Sequence, residues 1–183
     1  MKSTYLLAVL ALSSFAFVSC LTDELSENAR ETIYTRNNGA DIPAHIYGNT
    51  ASKTFLVIVH GGPAGSGIEY RGYYSQQLEK DYAVVYTDQR GQGMSHGKYD
   101  VENVTINQLA EDLYALSLGL KQRYGQDISL FMMGHSWGGT LGTAYMLIDS
   151  FRTEYNGWLE CDGAHDIPLL NRSAIAMYKQ IGG

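Results

Sequence analysis

Ile128-Ser129-Leu130-Phe131-Met132-Met133-Gly134-His135-Ser136-Trp137-Gly138 is an apolar run that stops at a turn flanked by glycines. A run without apolar/polar alternation predicts a strand buried on both faces, as in a parallel sheet. The stretch that follows, Thr140 to Ile148, predicts a helix. Strand, tight turn, helix is the setting in which Gly-x-Ser-x-Gly acquires chemical meaning. The serine sits on a strained turn that exposes its hydroxyl, and the glycines two residues to either side let strand and helix approach closely. Alone, the pattern also fits a glycine-rich turn with a chance serine, so the rest of the chain has to decide.

Two other stretches repeat the form. Phe55-Leu56-Val57-Ile58-Val59 runs into His60-Gly61-Gly62-Pro63, and Tyr82-Ala83-Val84-Val85-Tyr86 runs towards Asp88-Gln89-Arg90-Gly91-Gln92-Gly93-Met94-Ser95. A helix is expected from Thr105, its N-cap, with Gln108 completing a capping box and apolar residues at 106, 109, 113, 116 and 120 before Gly125. Strands alternating with helices predict an α/β fold with a doubly wound, mostly parallel sheet. In such a sheet the turns after the strands meet at one edge, where ligands bind. The backbone N–H groups of Gly61 and Gly62, beside that of Trp137 directly after Ser136, are the candidates for holding an oxyanion. Asp88 and Arg90 are expected to tie their loop down by pairing with each other. His60 reads as a structural histidine.

Before these motifs, Thr32 to Thr35 and Ile42 to Tyr47 predict a hairpin turning at Asn37-Asn38-Gly39, with Pro43 pushing the second strand towards an edge. After them, Trp158 to Cys161 predicts a short strand with a buried, inert thiol at Cys161, and Leu169 to Ile181 predicts a helix.

Composition narrows the class. The chain has 183 residues, 45% of them apolar and 17% charged, which suits one globular domain and excludes a disordered chain. A net charge of −6 without a Lys/Arg cluster excludes a nucleic-acid partner. No His, Cys, Asp or Glu grouping has metal-ligand spacing, and neither metal nor cofactor is expected. At the N-terminus, Lys2 precedes an apolar stretch from Tyr5 to Val18, short of the roughly 20 residues that span a bilayer, which reads as a signal peptide. Its end, Phe17-Val18-Ser19-Cys20, resembles the lipobox of bacterial lipoproteins, with Phe17 where leucine is usual. Asp23-Glu24 resembles the acidic tag behind the cysteine of some surface lipoproteins. These resemblances imply lipidation of Cys20 and a protein exported and anchored to a bacterial membrane on its periplasmic or outer side; an ordinary secretory signal is the alternative. The expected organisation is a signal peptide over 1–19, a tether over 20–30, a core over 31–166 and the start of a cap region over 167–183.

Taken in order, His60-Gly61-Gly62-Pro63, Asp88-Gln89-Arg90-Gly91-Gln92-Gly93-Met94-Ser95 and Gly134-His135-Ser136-Trp137-Gly138-Gly139 resemble the α/β-hydrolase superfamily, in particular its prolyl aminopeptidase (proline iminopeptidase) branch. The likeness runs from about residue 32 to 166. It implies a serine hydrolase with Ser136 as nucleophile, Gly61, Gly62 and Trp137 in the oxyanion region, and a short-peptide or other small-molecule substrate. Ala64 stands where the family has a further glycine, and because alanine tolerates positive φ poorly the loop is expected to take another route. The family order of serine, acid, histidine puts both partners of Ser136 beyond residue 183, so the sheet is expected to stop before its last strands and the chain alone to be inactive. Asp162 and His165 satisfy that order but share one short loop, and are the less favoured alternative. An esterase or thioesterase on the same serine, and a non-catalytic surface lipoprotein, remain the competing functions.

Overall fold

The computed structural model describes residues 25–182, so the expected signal peptide and the lipid-bearing Cys20 lie outside the described residues. Seven strands form one mixed sheet: β1 (Ala29–Asn37), β2 (Ala40–Gly48), β3 (Thr54–Val59), β4 (Ala83–Thr87), β5 (His96–Gly97), β6 (Ser129–His135) and β7 (Gly157–Cys161). The order across the sheet is β1-β2-β4-β3-β6-β7, with β5 beside β2. β4, β3, β6 and β7 run parallel, whereas β1, β2 and β5 pair antiparallel. The helices are α1 (Tyr73–Leu78), α2 (Ile106–Tyr124), α3 (Trp137–Met146), α4 (Asp149–Arg152) and α5 (Ile167–Gln180).

From β3 the chain crosses through α1 to β4 on one side; from β6 it proceeds through α3 and α4 to β7 on the other. The direction of winding therefore reverses between β3 and β6. A crevice opens at the carboxyl ends of strands at such a switch point, and the turns holding Gly61 and Ser136 both lie there.

The opening hairpin forms as its sequence predicts. Asn38 and Gly39 have φ of 40° and 81°, the paired positive values of a two-residue type I′ turn. Pro43 does not place β2 at an edge, because β2 lies between β1 and β4. Residues 40 and 41 pair with β5 and residues 44 to 48 with β4, so Pro43 falls in the gap between two partners, where its missing N–H costs no ladder bond.

One face of the sheet carries the main core. Val57, Val59, Val85, Leu130 and Met132 pack there against Leu109, Leu113, Leu116 and Leu120 of α2 and Leu141 and Tyr145 of α3. On the opposite face the apolar cluster among the described residues is small: Ile58, Val84 and Tyr86 are buried, with Leu56, Tyr47 and Tyr70 against them. Beyond the short α1, Leu56, Phe131 and Leu159 line an apolar trough of about 470 Å³ over the amino-terminal half of the strands. This corrects the expectation for β6: burial alternates along it, with Phe131 exposed, because only one of its faces is covered. Cys161 is likewise half-buried rather than buried.

α2 begins at Thr105, whose side chain accepts from the Gln108 amide at 3.2 Å. The reciprocal half of the capping box is absent, since the Gln108 side chain turns to Asn38 at 3.0 Å and Asp112 at 3.4 Å. Asp112 sits on the buried side of α2 to meet Arg90, which donates to it from Nε at 2.8 Å and Nη2 at 2.6 Å. Arg90 thus pairs with Asp112 and not with Asp88. It also donates to the carbonyls of Asn37 and Asn38 at 3.0 Å each, tying the hairpin turn to α2. Arg90 is 1% exposed, so nothing else can neutralise it. Removing one partner of a buried pair strands the other's charge. Asp112→Ala should therefore destabilise the fold by about 3–5 kcal/mol, read from urea unfolding followed by circular dichroism.

Candidate active site

The β6–α3 turn gives Ser136 φ 54° and ψ −119°, a backbone region that residues with a Cβ rarely occupy and that costs about 1–3 kcal/mol. Its amide donates to the carbonyl of Cys161 on β7 at 2.8 Å, anchoring the turn from the neighbouring strand. The Ser136 side chain makes no capping bond to the helix it precedes. Close approach explains the flanking glycines: a Cβ at Gly138 would lie 2.0 Å from the carbonyl oxygen of Val59, and one at Gly134 would lie 2.3 Å from that of Gly138. Alanine at either position has no room.

The loop after β3 comes directly against this turn. A Cβ added at Gly61 would be 3.2 Å from Cβ of Ser136 and 3.2 Å from the carbonyl oxygen of His135. Sequence reasoning brings Gly61, Gly62 and Trp137 to Ser136, and the fold gathers them at the same end of β3 and β6. Their amides are not equivalent. That of Gly61 donates to the Tyr70 hydroxyl at 2.9 Å, whereas that of Gly62 meets no acceptor among the described residues. Trp137 is the first residue of α3, so its N–H has no acceptor within the helix. Ala64 does adopt a positive φ, 77°, against expectation. Gln92 holds it there, its Oε1 accepting from the amides of Ala64 at 2.7 Å and Gly65 at 3.2 Å.

Gln89 joins the three motifs. Its Nε2 donates to the His60 carbonyl at 2.8 Å, its Oε1 accepts from the Trp137 indole at 2.9 Å, and its amide donates to His60 Nε2 at 3.3 Å. With Nδ1 of His60 donating to the Gly61 carbonyl at 2.7 Å, that buried ring is a structural part of the loop. Nothing in the sequence marks Gln89 or Tyr70 for these contacts, because Gln89 reaches across 29 and 48 residues to His60 and Trp137 and Tyr70 across 65 to His135.

The remaining histidines do not reach the serine. His45 bonds Thr32 through Nδ1 at 2.8 Å, His96 lies 3.5 Å from Asp41, and His135 bonds Tyr70 through Nδ1 at 2.7 Å. The exposed His165 lies 3.6 Å from Glu160, and the Gly163 amide closes their loop onto the same carboxylate. Among the described residues no cluster could hold a metal ion.

Asp88 is fully buried beneath the site. Oδ1 accepts from the Ser66 hydroxyl at 2.7 Å and the Gly67 amide at 2.8 Å, and Oδ2 accepts from the Met94 amide at 2.6 Å. His45 Nε2 stands 3.6 Å from Oδ2, an electrostatic contact rather than a hydrogen bond. Burial alone would push this carboxyl up, but His45, the Met94 amide, the Ser66 hydroxyl and the Gly67 amide together hold it below the usual carboxylate range. A carboxyl depressed by folding contributes stability that is complete above its ordinary value of 3.8 and is lost as the pH falls through the folded value. Asp88→Asn should cost about 2–3 kcal/mol at neutral pH. The gap from the parent protein should narrow between about pH 5 and pH 2, as measured by urea unfolding at each pH.

Comparison with known proteins agrees with this arrangement. The family model described as serine aminopeptidase, S33, matches residues 50–167. Proline iminopeptidase of Saccharolobus solfataricus is 32% identical over 135 residues, which cover 74% of this chain and 41% of that protein. The solved structure of proline iminopeptidase from Mycobacterium smegmatis superposes with a TM-score of 0.65 at 18% identity, over 82% of this chain and 50% of that one. A thioesterase domain from the curacin biosynthetic pathway superposes with a TM-score of 0.61 at 20% identity, over 82% and 54%. At such identities the two structures speak for the fold alone. The chain thus spans about two fifths of the length of this curated relative and half of the enzyme solved from Mycobacterium smegmatis. Through the match to residues 50–167 and the three turns gathered at one sheet edge, the chain belongs to the S33 serine aminopeptidase family of α/β hydrolases, on its proline iminopeptidase-like branch.

Proposed function

We propose that Ser136 is the nucleophile of an acyl transfer to water, with the amides of Gly62 and Trp137 holding the oxyanion and the Gly61 turn forming the wall behind them. The observation that carries this reading is the strained backbone of Ser136 at the switch point of the sheet, beside two amides that meet no acceptor among the described residues. A strained residue held by its surroundings marks a working site more often than an accident, and backbone donors at a sheet edge stabilise the charge that develops on a carbonyl oxygen under attack. The substrate in this reading is the amide bond after the N-terminal residue, proline above all, of a short peptide, which the names of the relatives support.

A serine hydroxyl needs an adjacent base, and in this reading the histidine and its acid partner lie beyond residue 183, in residues that would add the remaining strands. The 183 residues alone should then turn over substrate little. In the full-length gene product, Ser136→Ala should lower kcat at least about 10³-fold, since a nucleophile and its base act as a unit. Near-parental turnover would remove Ser136 from the mechanism. Comparing proline with acetyl chromogenic substrates separates peptidase from esterase or thioesterase chemistry. Failure of a fluorophosphonate to label Ser136 would favour a binding lipoprotein.

The same proposal anchors the protein to the membrane through lipid on Cys20, supported by the short apolar segment ending in Ser19-Cys20. Two or more acyl chains hold a protein on a bilayer stably, where one does so marginally. Palmitate should label the protein expressed in a bacterial host, and Cys20→Ala should abolish the label and release the protein into the soluble fraction. Unchanged labelling and fractionation would place the anchor elsewhere.

A further inference from the structure

Tyr70 ends a 3-10 turn (Gly67–Tyr70) between β3 and α1, with its ring against the small core of Ile58, Val84 and Tyr86 and 5.7 Å from the ring of His135. Its hydroxyl lies where β3 and β6 release their chains into the two site turns. There it accepts the Gly61 N–H at 2.9 Å and meets His135 Nδ1 at 2.7 Å. A phenol has one proton to give. Since an N–H can only donate, the hydroxyl accepts from Gly61, while its bond to Nδ1 runs in the direction that the His135 tautomer sets. In either direction the one oxygen is bonded to both turns at once.

We infer that Tyr70 is a positioning residue for the reaction at Ser136: by joining the Gly61 amide to the His135 ring it sets the separation of the oxyanion loop from the nucleophile turn. The inference rests on the reading of Ser136 as nucleophile. Gly61 precedes the free amide of Gly62, and His135 precedes Ser136, so the phenol links the residue before each working group. No backbone hydrogen bond between these two turns does the same, for the parallel ladder of β3 with β6 ends at Val59 and Gly134. The turns nevertheless touch, with the Cβ position of Gly61 3.1 Å from the Tyr70 oxygen and 3.2 Å from Cβ of Ser136. Displacing a reacting group by about 1 Å costs on the order of 100-fold in rate, so a hydroxyl that fixes this spacing matters without touching substrate.

The test is Tyr70→Phe in the full-length gene product, beside the parent and Ser136→Ala, on the better of the proline and acetyl chromogenic substrates. Activity is referred to folded protein by near-ultraviolet circular dichroism and to competent serines by fluorophosphonate titration. Phenylalanine keeps the ring in its core and removes only the linkage. Tyr70→Phe should lower kcat about 10- to 100-fold per folded chain, leave KM within about twofold, and slow fluorophosphonate labelling of Ser136 in proportion. An unchanged kcat per folded chain, or a loss confined to KM, would overturn the role of Tyr70 while leaving Ser136 in place. Activity surviving in Ser136→Ala would overturn the nucleophile assignment and this inference with it. A Tyr70→Phe protein whose lost activity is wholly accounted for by its unfolded fraction would show Tyr70 to be structural only.

Discussion

A methyl group at residue 138 would stand 2.0 Å from the carbonyl oxygen of Val59 and 2.7 Å from that of His60. The backbone of α3 therefore rests directly on the end of β3, with no side chain between them. This contact seats α3 on β3, and the strain at Ser136 follows from it: the chain must leave β6 and enter a helix that is already pressed against the neighbouring strand. Anchoring the Ser136 amide to Cys161 on the other side leaves the turn no slack.

Around that contact the molecule spends buried polar groups on loops rather than on its core. Asp88 gathers a hydroxyl and an amide from the segment after β3 and an amide from its own loop, Gln89 spans the His60 turn and the Trp137 indole, and Arg90 holds a hairpin to a helix. Three consecutive residues thus fix three separate pieces of chain. Such groups are costly to bury and hold only when all their bonds are made, so these loops behave as rigid parts of the scaffold. Rigidity at the edge of the sheet is what preorganised amides require.

The sequence showed those features whose physics is local. The Asn38-Gly39 turn, the Thr105 cap and the glycines around Ser136 each answer a demand made within a few residues, and each formed where the pattern placed it. Features that depend on distant partners were not legible. Pro43 looked like an edge residue because nothing local reveals that β2 changes partners at that point. Arg90 looked like the partner of Asp88, the nearest acid in the chain, whereas Asp112 reaches it from the next helix. The Met-rich β6 read as buried on both faces because its composition cannot say which face lacks a covering layer. At the candidate site, Ser136 and the two glycine turns were visible as motifs. The division of labour among their amides was not, since it is set by the hydroxyl of Tyr70.

The uncovered side of the sheet has a thermodynamic consequence. α5 buries none of its residues, and Phe131 and Leu159 face solvent at 38% and 57% exposure. Apolar surface that is wet before unfolding is still wet afterwards, so it adds nothing to the heat-capacity increment or to the denaturant dependence of the transition, both of which scale with newly exposed area. These 183 residues should therefore melt as a smaller protein would, with a shallow stability curve and a broad transition. Anything that seats on that face steepens both by the area it removes from water.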